Sequence, residues 1–318
     1  MFDRILVPLD GSPLAECVLP HLVAIARTDV SRVYLLRVLD PISAATRPIS
    51  VDPFEWQIRK AEAEAYLRDV AGRLEAAGLE VQTEVLEGRA AESTIEYASE
   101  QNVSLIILSS HGQSGISGWN ISSVVQKIIL RALRSVMIVR AYQPASEELT
   151  ELIYRRILLP LDGSQRAEYV LPMAIALARA NQAEILAAHV VKKPEMPRRT
   201  PPTQEDIELA NQVTERNRAE AARYLDELKS RLEVNIETRL LISDNVSESL
   251  HDLVEQAGVD LVLLGAHGYT GATKWPYGST VISFIAYGTT PLLVVQDLPP
   301  SHIEPTQAEL AAREQGRH

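Results

Sequence analysis

The chain has 318 residues, 46% of them hydrophobic and 23% charged, with a formal net charge of −11 at pH 7. That length suits two domains of roughly 100–150 residues each, and the composition is that of an ordinary globular protein. The acidic balance excludes a nonspecific grip on nucleic acid, which needs Lys and Arg to displace counterions from phosphates, but it admits a small anion held by helix N-terminal amides. The single cysteine, Cys17, rules out a disulfide framework within the chain and fits a reducing cytoplasm. No apolar run approaches a membrane span, and the strand pattern reached by Ile5 leaves no room for a signal peptide. A cytoplasmic, membrane-free protein is expected.

Arg4 to Leu9 is a short apolar run ended by Asp10-Gly11-Ser12, and predicts a first strand. Apolar residues then recur at helical spacing through Val18, Leu22, Ile25 and Ala26. Cys17 falls among them and reads as a small buried residue rather than a reactive thiol. Arg32 to Leu39 is a second strand. After the irregular Pro41–Pro53 stretch, Phe54 to Ala77 is a long Ala/Glu/Arg-rich helix with Gly78 as its stop. A strand from Glu80 to Leu86, a helix from Glu92 to Glu100 and an apolar strand from Val103 to Leu108 follow. A Gly/Ser stretch from Ser109, a helix around Val124–Leu133 and a strand at Val136–Val139 complete the set.

The order then repeats. Val7-Pro8-Leu9-Asp10-Gly11-Ser12 returns as Leu159-Pro160-Leu161-Asp162-Gly163-Ser164, an offset of 152 residues, and Ser110-His111-Gly112 returns as Ala266-His267-Gly268, an offset of 156. Strands are expected near Arg156–Leu161, Glu184–Val191, Asn235–Leu241, Asp260–Gly265 and Leu292–Gln296, with the longest helix near Glu205–Leu232. Strands alternating with helices imply right-handed crossovers and parallel sheets covered on both faces. The expected architecture is α/β, two tandem open five-stranded parallel sheets. The expected boundaries are a first domain at 1–142, a linker at 143–154, a second domain at 155–298 and a polar tail at 299–318.

In an open parallel sheet, ligands bind beyond the carboxyl ends of the strands where strand order reverses. In the second copy those ends carry Pro160-Leu161-Asp162, Val190 and Gly265-Ala266-His267-Gly268, with Gly278-Ser279-Thr280 opening a helix. Gly265 and Gly268 would let main chain approach a ligand or adopt φ > 0. Gly278, Ser279 and Thr280 would present amides and hydroxyls where the helix dipole favours phosphate. Asp162 would accept from a ribose hydroxyl pair.

These features resemble the universal stress protein family, in a tandem two-domain form. Gly265, Gly268, Gly278 and Ser279 fit its nucleotide signature: glycine, two residues, glycine, nine residues, glycine, then serine or threonine. The resemblance implies a Rossmann-like fold with strand order 3-2-1-4-5 and a bound adenine nucleotide, ATP or else ADP or AMP, with Mg accompanying the phosphates. It implies that Asp162 and Val190 hold the ribose and adenine end, that Gly265 and Gly268 border the nucleotide, that Gly278, Ser279 and Thr280 meet the phosphates, and that Pro160 and His267 belong to the same site. It also implies intramolecular pairing of the two domains through their last strands, and a homodimer. The role implied is a nucleotide-dependent stress-response regulator or sensor. The alternative is a structural or interaction protein on the same fold that binds no nucleotide.

The first copy departs from the signature, with Ser109, Gly112, Ser122 and Ser123 at the matching places. Asp10 and Val38 remain, so a weaker site of Asp10, Val38, Gly112 and Ser123 is expected. Ser109 should crowd the ligand's path, and Ser122 should restrict φ at the helix start. Gly88 pairs with Ser243 in this reading, which brings Asp244 near the phosphates. Asp10 and Asp162 also read as helix caps. His111 and His267 are lone histidines, better suited to structural hydrogen bonds than to metal. Trp119 and Trp275 suit packing, and Lys274, Arg198 and Arg199 suit solvent. No nucleophile–base–orienter set and no P-loop are present, so at most slow ATP hydrolysis is expected.

Overall fold

The computed structural model describes residues 2–29, 31–40, 53–112, 121–141, 152–194, 201–269 and 276–297. Most of the expected linker, the expected tail, and Trp119, Arg198, Arg199, Lys274 and Trp275 lie outside the described residues. The chain divides into two compact units, one built mainly on residues up to Ile153 and the other running from Tyr154 to Asp297.

In the first unit the elements run β1 (Arg4–Pro8), a 3-10 turn (Ala15–Val18), α1 (Leu19–Ala26), β2 (Arg32–Leu39), α2 (Pro53–Ala76), β3 (Glu80–Glu87), α3 (Ala90–Glu100), β4 (Leu105–Ser109), α4 (Ser123–Ala132) and β5 (Ser135–Val139). The strands lie in the order β3-β2-β1-β4-β5, and every pairing is parallel, as in Ile5 opposite Val33 and Leu105. β4 and β5 are buried along their whole length, which is why they read as unbroken apolar runs. β3 is an edge strand with mixed burial, and it carries the alternating polar pattern. The long α2 stops where expected: Gly78 takes φ +89° and the Leu79 amide donates to the Leu74 carbonyl at 3.2 Å.

The second unit repeats the plan: β6 (Arg156–Pro160), α5 (Gln165–Glu168), α6 (Leu171–Asn181), β7 (Glu184–Lys192), α7 (Gln204–Arg231), β8 (Ile236–Ser243), α8 (Val246–Ala257), β9 (Leu261–Gly265), α9 (Ser279–Tyr287) and β10 (Leu292–Val295). Its strands lie in the order β8-β7-β6-β9-β10, again all parallel. A reciprocal capping box between Thr203 and Asp206 starts α7. The core is the sheet's own apolar layer: Ile157, Leu158, Leu159, Leu261, Val262 and Leu263 are all fully buried. Truncating one of these leucines to Ala would cost about 2–5 kcal/mol.

The expected strand order therefore holds in each unit. β1 lies between β2 and β4, and β6 between β7 and β9, so chain direction across the sheet reverses at the first strand of each. The loops leaving those strands splay apart there and open a crevice. Among the described residues no helix is long and apolar enough to cross a membrane.

Candidate ligand-binding crevices

The crevice of the second unit encloses a volume of about 130 Å³. Pro160, Asp162, Val190, Gly265, His267, Gly268, Gly278, Ser279 and Thr280 all line it, so residues separated by more than a hundred positions meet at one switch point. One wall is apolar and was not singled out from the sequence: Val246 and Leu250 on α8. The signal for them was the apolar face of that helix, which a search for polar chemistry passes over.

Asp162 braces the crevice. Its Oδ1 accepts from the Ser164 amide at 3.0 Å and hydroxyl at 2.6 Å, and its Oδ2 accepts from the Tyr269 amide at 2.6 Å. It therefore ties the loop after β6 to the loop after β9. The expected helix cap is instead Ser164, whose hydroxyl accepts from the Ala167 amide at 3.1 Å. The first unit is built the same way, with Asp10 accepting from the Ser12 amide at 2.9 Å and Ser12 from the Ala15 amide at 3.2 Å.

The glycines carry different burdens from those expected. Neither Gly265, Gly268 nor Gly278 has positive φ. A Cβ at Gly268 would fall on the Asp162 carboxylate and force it aside, and Gly112 meets Asp10 in the same way. A Cβ at Gly265 would come within 3.1 Å of the Arg166 carbonyl, a tight but adjustable fit. A Cβ at Gly278 would find nothing nearer than the Ala266 carbonyl at 3.6 Å, an ordinary contact.

This corrects the reading of the first unit. Ser109 lines its crevice, but its hydroxyl is engaged by main chain, within hydrogen-bond reach of the Leu14 carbonyl at 3.1 Å and of the His111 carbonyl. Ser122 is not strained, since its φ −72°, ψ 158° matches φ −72°, ψ 164° at Gly278. The first crevice, lined by Asp10, Val38, Gly112 and Ser123 among others, encloses about 360 Å³ and is larger than the second. What does differ is the helix start. Ser122 caps α4 by accepting from the Val125 amide at 3.3 Å, whereas Gly278 gives α9 no side-chain cap.

The loop after the third strand also needs correction. Ala90 and Thr94 line the first crevice where Val246 and Leu250 line the second, a constant offset of 156, so Gly88 matches Asp244 rather than Ser243. Asp244 does not line the crevice; it lies 3.8 Å from the Lys193 ammonium.

Both histidines are buried, each 2% exposed, and hydrogen-bonded as expected. His111 Nδ1 meets the Ser110 hydroxyl at 3.1 Å. His267 Nδ1 meets Asp297 Oδ1 at 2.6 Å, and Arg166 Nε donates to Asp297 Oδ2 at 2.6 Å. Burial raises the Asp297 carboxyl, but the hydrogen bonds from His267 and Arg166 outweigh it and hold the group below the usual carboxylate range. Sequence reasoning missed Asp297 because only folding brings it to His267. His189, the residue before Val190, is held below the usual imidazole value by burial, partly opposed by the Asp162 charge. Cys17 is half-buried, and burial pushes its thiol up to about 11, which fits the inert reading. Among the described residues no group of three or more His, Cys, Asp or Glu stands ready to hold a metal ion.

Comparison with known proteins agrees with the repeat and the fold. Universal stress protein MJ0577 of Methanocaldococcus jannaschii is 27% identical over 155 residues, covering 44% of this chain and 96% of that one. The crystal structure of a universal stress protein from Archaeoglobus fulgidus superposes with a TM-score of 0.63 at 18% identity, covering 92% of this chain and 96% of that one. A putative universal stress protein from Pseudomonas aeruginosa gives 0.65 at 15% identity, with 93% of each chain covered. The sequence profile of the Universal stress protein family matches twice, at residues 1–140 and 153–296, and the chain belongs to that family as a tandem member.

Proposed function

We propose that the second crevice binds an adenine nucleotide, ATP or else ADP or AMP, and that the protein acts as a nucleotide-dependent regulator or sensor in the stress response. The observation that carries this reading is the start of α9: its N-cap is Gly278, no side chain among the described residues caps its first amides, and it opens onto the crevice beside Gly265 and Gly268. Uncapped amides at the positive end of a helix dipole suit an anionic phosphate. Ser279 and Thr280 add hydroxyls, and an exposed carboxylate, Asp162, stands across the crevice for a ribose. Asp162 keeps acceptor capacity beyond its bonds to Ser164 and Tyr269, because each carboxylate oxygen takes more than one donor. Mg²⁺ enters this reading as the polyphosphate's counter-ion, with the Ser279 and Thr280 hydroxyls as the oxygens the chain offers it. A cytoplasmic location and a homodimer complete the proposal, and light scattering of the purified protein tests the latter.

The direct test is mass spectrometry of small molecules carried through native purification, paired with calorimetric titration of ATP, ADP and AMP. An adenine nucleotide should accompany the wild-type protein and be absent from Gly278→Val, whose side chain projects where the phosphates would lie. A protein that carries none and binds none in titration would instead be an interaction module on this fold.

A further inference from the structure

The two copies anchor their buried histidine in different ways. In the first unit Ser110 Oγ meets His111 Nδ1 at 3.1 Å and accepts from the Ala141 amide at 3.0 Å. In the second unit Ser110, Leu14 and Ala141 are replaced by Ala266, Arg166 and Asp297. The hydroxyl is lost, and a charged chain from Arg166 through Asp297 to His267 takes its place, both links being 2.6 Å. The Asp297 and His267 side chains are 3% and 1% exposed, so this chain works in a low-dielectric setting where charge-assisted bonds are strong.

That charged chain joins three segments that follow sheet strands, since Arg166 lies on α5 after β6, His267 follows β9 and Asp297 follows β10. It also reaches the start of α9. Ala266, bonded in sequence to His267, donates its amide to the Val295 carbonyl at 2.8 Å and accepts the Gly278 amide at 2.8 Å. The first unit has the same main-chain brace, with Ser110 between Val139 at 2.8 Å and Ser122 at 2.9 Å, but there Ser122 also caps the helix itself. In the second unit the cap is gone and the side-chain lock lies one layer deeper.

We infer that Arg166 and Asp297 are positioning residues for the phosphate end of the second crevice: through His267 and Ala266 they hold the uncapped start of α9 in register for an anion, the role that the Ser122 cap fills for α4. The lock leaves the α9 amides available for a ligand, whereas a side-chain cap consumes them. This inference rests on the nucleotide reading of the same crevice.

The test transplants the first copy's solution into the second, in the full chain: Arg166→Leu, Ala266→Ser and Asp297→Ala together, a combination that the first unit already folds with. Asp297→Asn, which removes the charge and keeps the shape, is the second variant. Calorimetric titration with ATP and, separately, with adenosine reads the phosphate end against the nucleoside end. Both variants should weaken the tighter ATP event roughly tenfold, as for loss of one charge-assisted contact, and leave adenosine binding unchanged. ATP binding the transplant as tightly as the wild type would overturn this inference alone. Equal weakening of ATP and adenosine would also overturn it, because a merely structural lock loosens both ends. Failure of ATP to bind the wild type would remove the nucleotide reading, and this inference with it.

Discussion

Gly265, Gly268 and Gly278 look equivalent in the sequence, yet their surroundings rank them. Gly268 sits under the Asp162 carboxylate, and any Cβ there must displace it, together with its bonds to Ser164 and Tyr269. Gly268→Ala is therefore expected to destabilise the second unit by about 1–3 kcal/mol, the usual range for overpacking, and Gly112→Ala to do the same in the first. Gly278→Ala should be tolerated, since its Cβ meets only ordinary contacts from 3.6 Å outward. Urea unfolding of the three variants checks the ranking, and equal losses at Gly268 and Gly278 would refute it. A second residue-scale prediction concerns His21 on α1, whose imidazole burial lowers to about 4 from 6.5. The unfolded chain takes up this proton as pH falls below 6.5, and the folded chain resists until about pH 4. Its contribution to stability is thus complete above pH 6.5 and is lost on acidification between those values, on the order of 3 kcal/mol in all. The second copy has Met173 at the matching position. His21→Met should flatten the acid limb of a stability-against-pH curve between pH 6.5 and 4, and an unchanged limb would assign the acid sensitivity elsewhere.

Helix starts decide how the two crevices differ. α4 begins with a serine that caps it, and α9 begins with a glycine that does not. Gly278→Ser should stabilise α9 by a few tenths of a kcal/mol and weaken ATP binding, because the hydroxyl would claim the amide of Val281 as Ser122 claims that of Val125. Ser122→Gly should do the reverse at α4. A thermal melt and a titration of each variant give the two signs, and Gly278→Ser binding ATP more tightly would contradict the argument. This logic was only half legible in the sequence. The strands and helices were, since unbroken apolar runs such as Leu105–Leu108 and the Gly78 stop of α2 are local signals. The glycine spacing was legible too, but its physical basis was not. Whether Gly265 needs to lack a side chain depends on the Arg166 carbonyl, and whether Ser109 obstructs depends on the Leu14 carbonyl, 95 residues away. The Arg166–Asp297 bond spans 131 residues and leaves no local pattern. The mispairing of Gly88 with Ser243 has the same source: loops of similar length align by eye, and only the lining residues on α3 and α8 set the register.

For the molecule as a whole, duplication places two open crevices in one chain with different fittings. The sequence suggests one intact and one weaker site; both crevices are open, at about 130 and about 360 Å³, and on the nucleotide reading proposed above they differ in their grip on phosphate. Ligand that binds only the folded form stabilises it by about 2.7 kcal/mol at a hundred times Kd, and the gain appears in the unit that holds it. Native-state hydrogen exchange with increasing ATP should therefore slow amides of β6, β9 and α9 first, by up to roughly a hundredfold where exchange requires opening of the whole unit. Amides of β1, β4 and α4 should follow only at higher ATP, because Ser122 already occupies the amide that a phosphate would need. AMP, with less charge to place at the helix start, should narrow the difference between the units, and adenosine should abolish it. Protection that rises in both units at the same ATP concentration would mean that the capped and uncapped helices are equivalent to the ligand. The grip would then lie at the ribose end, in Asp10 and Asp162, which the two copies share.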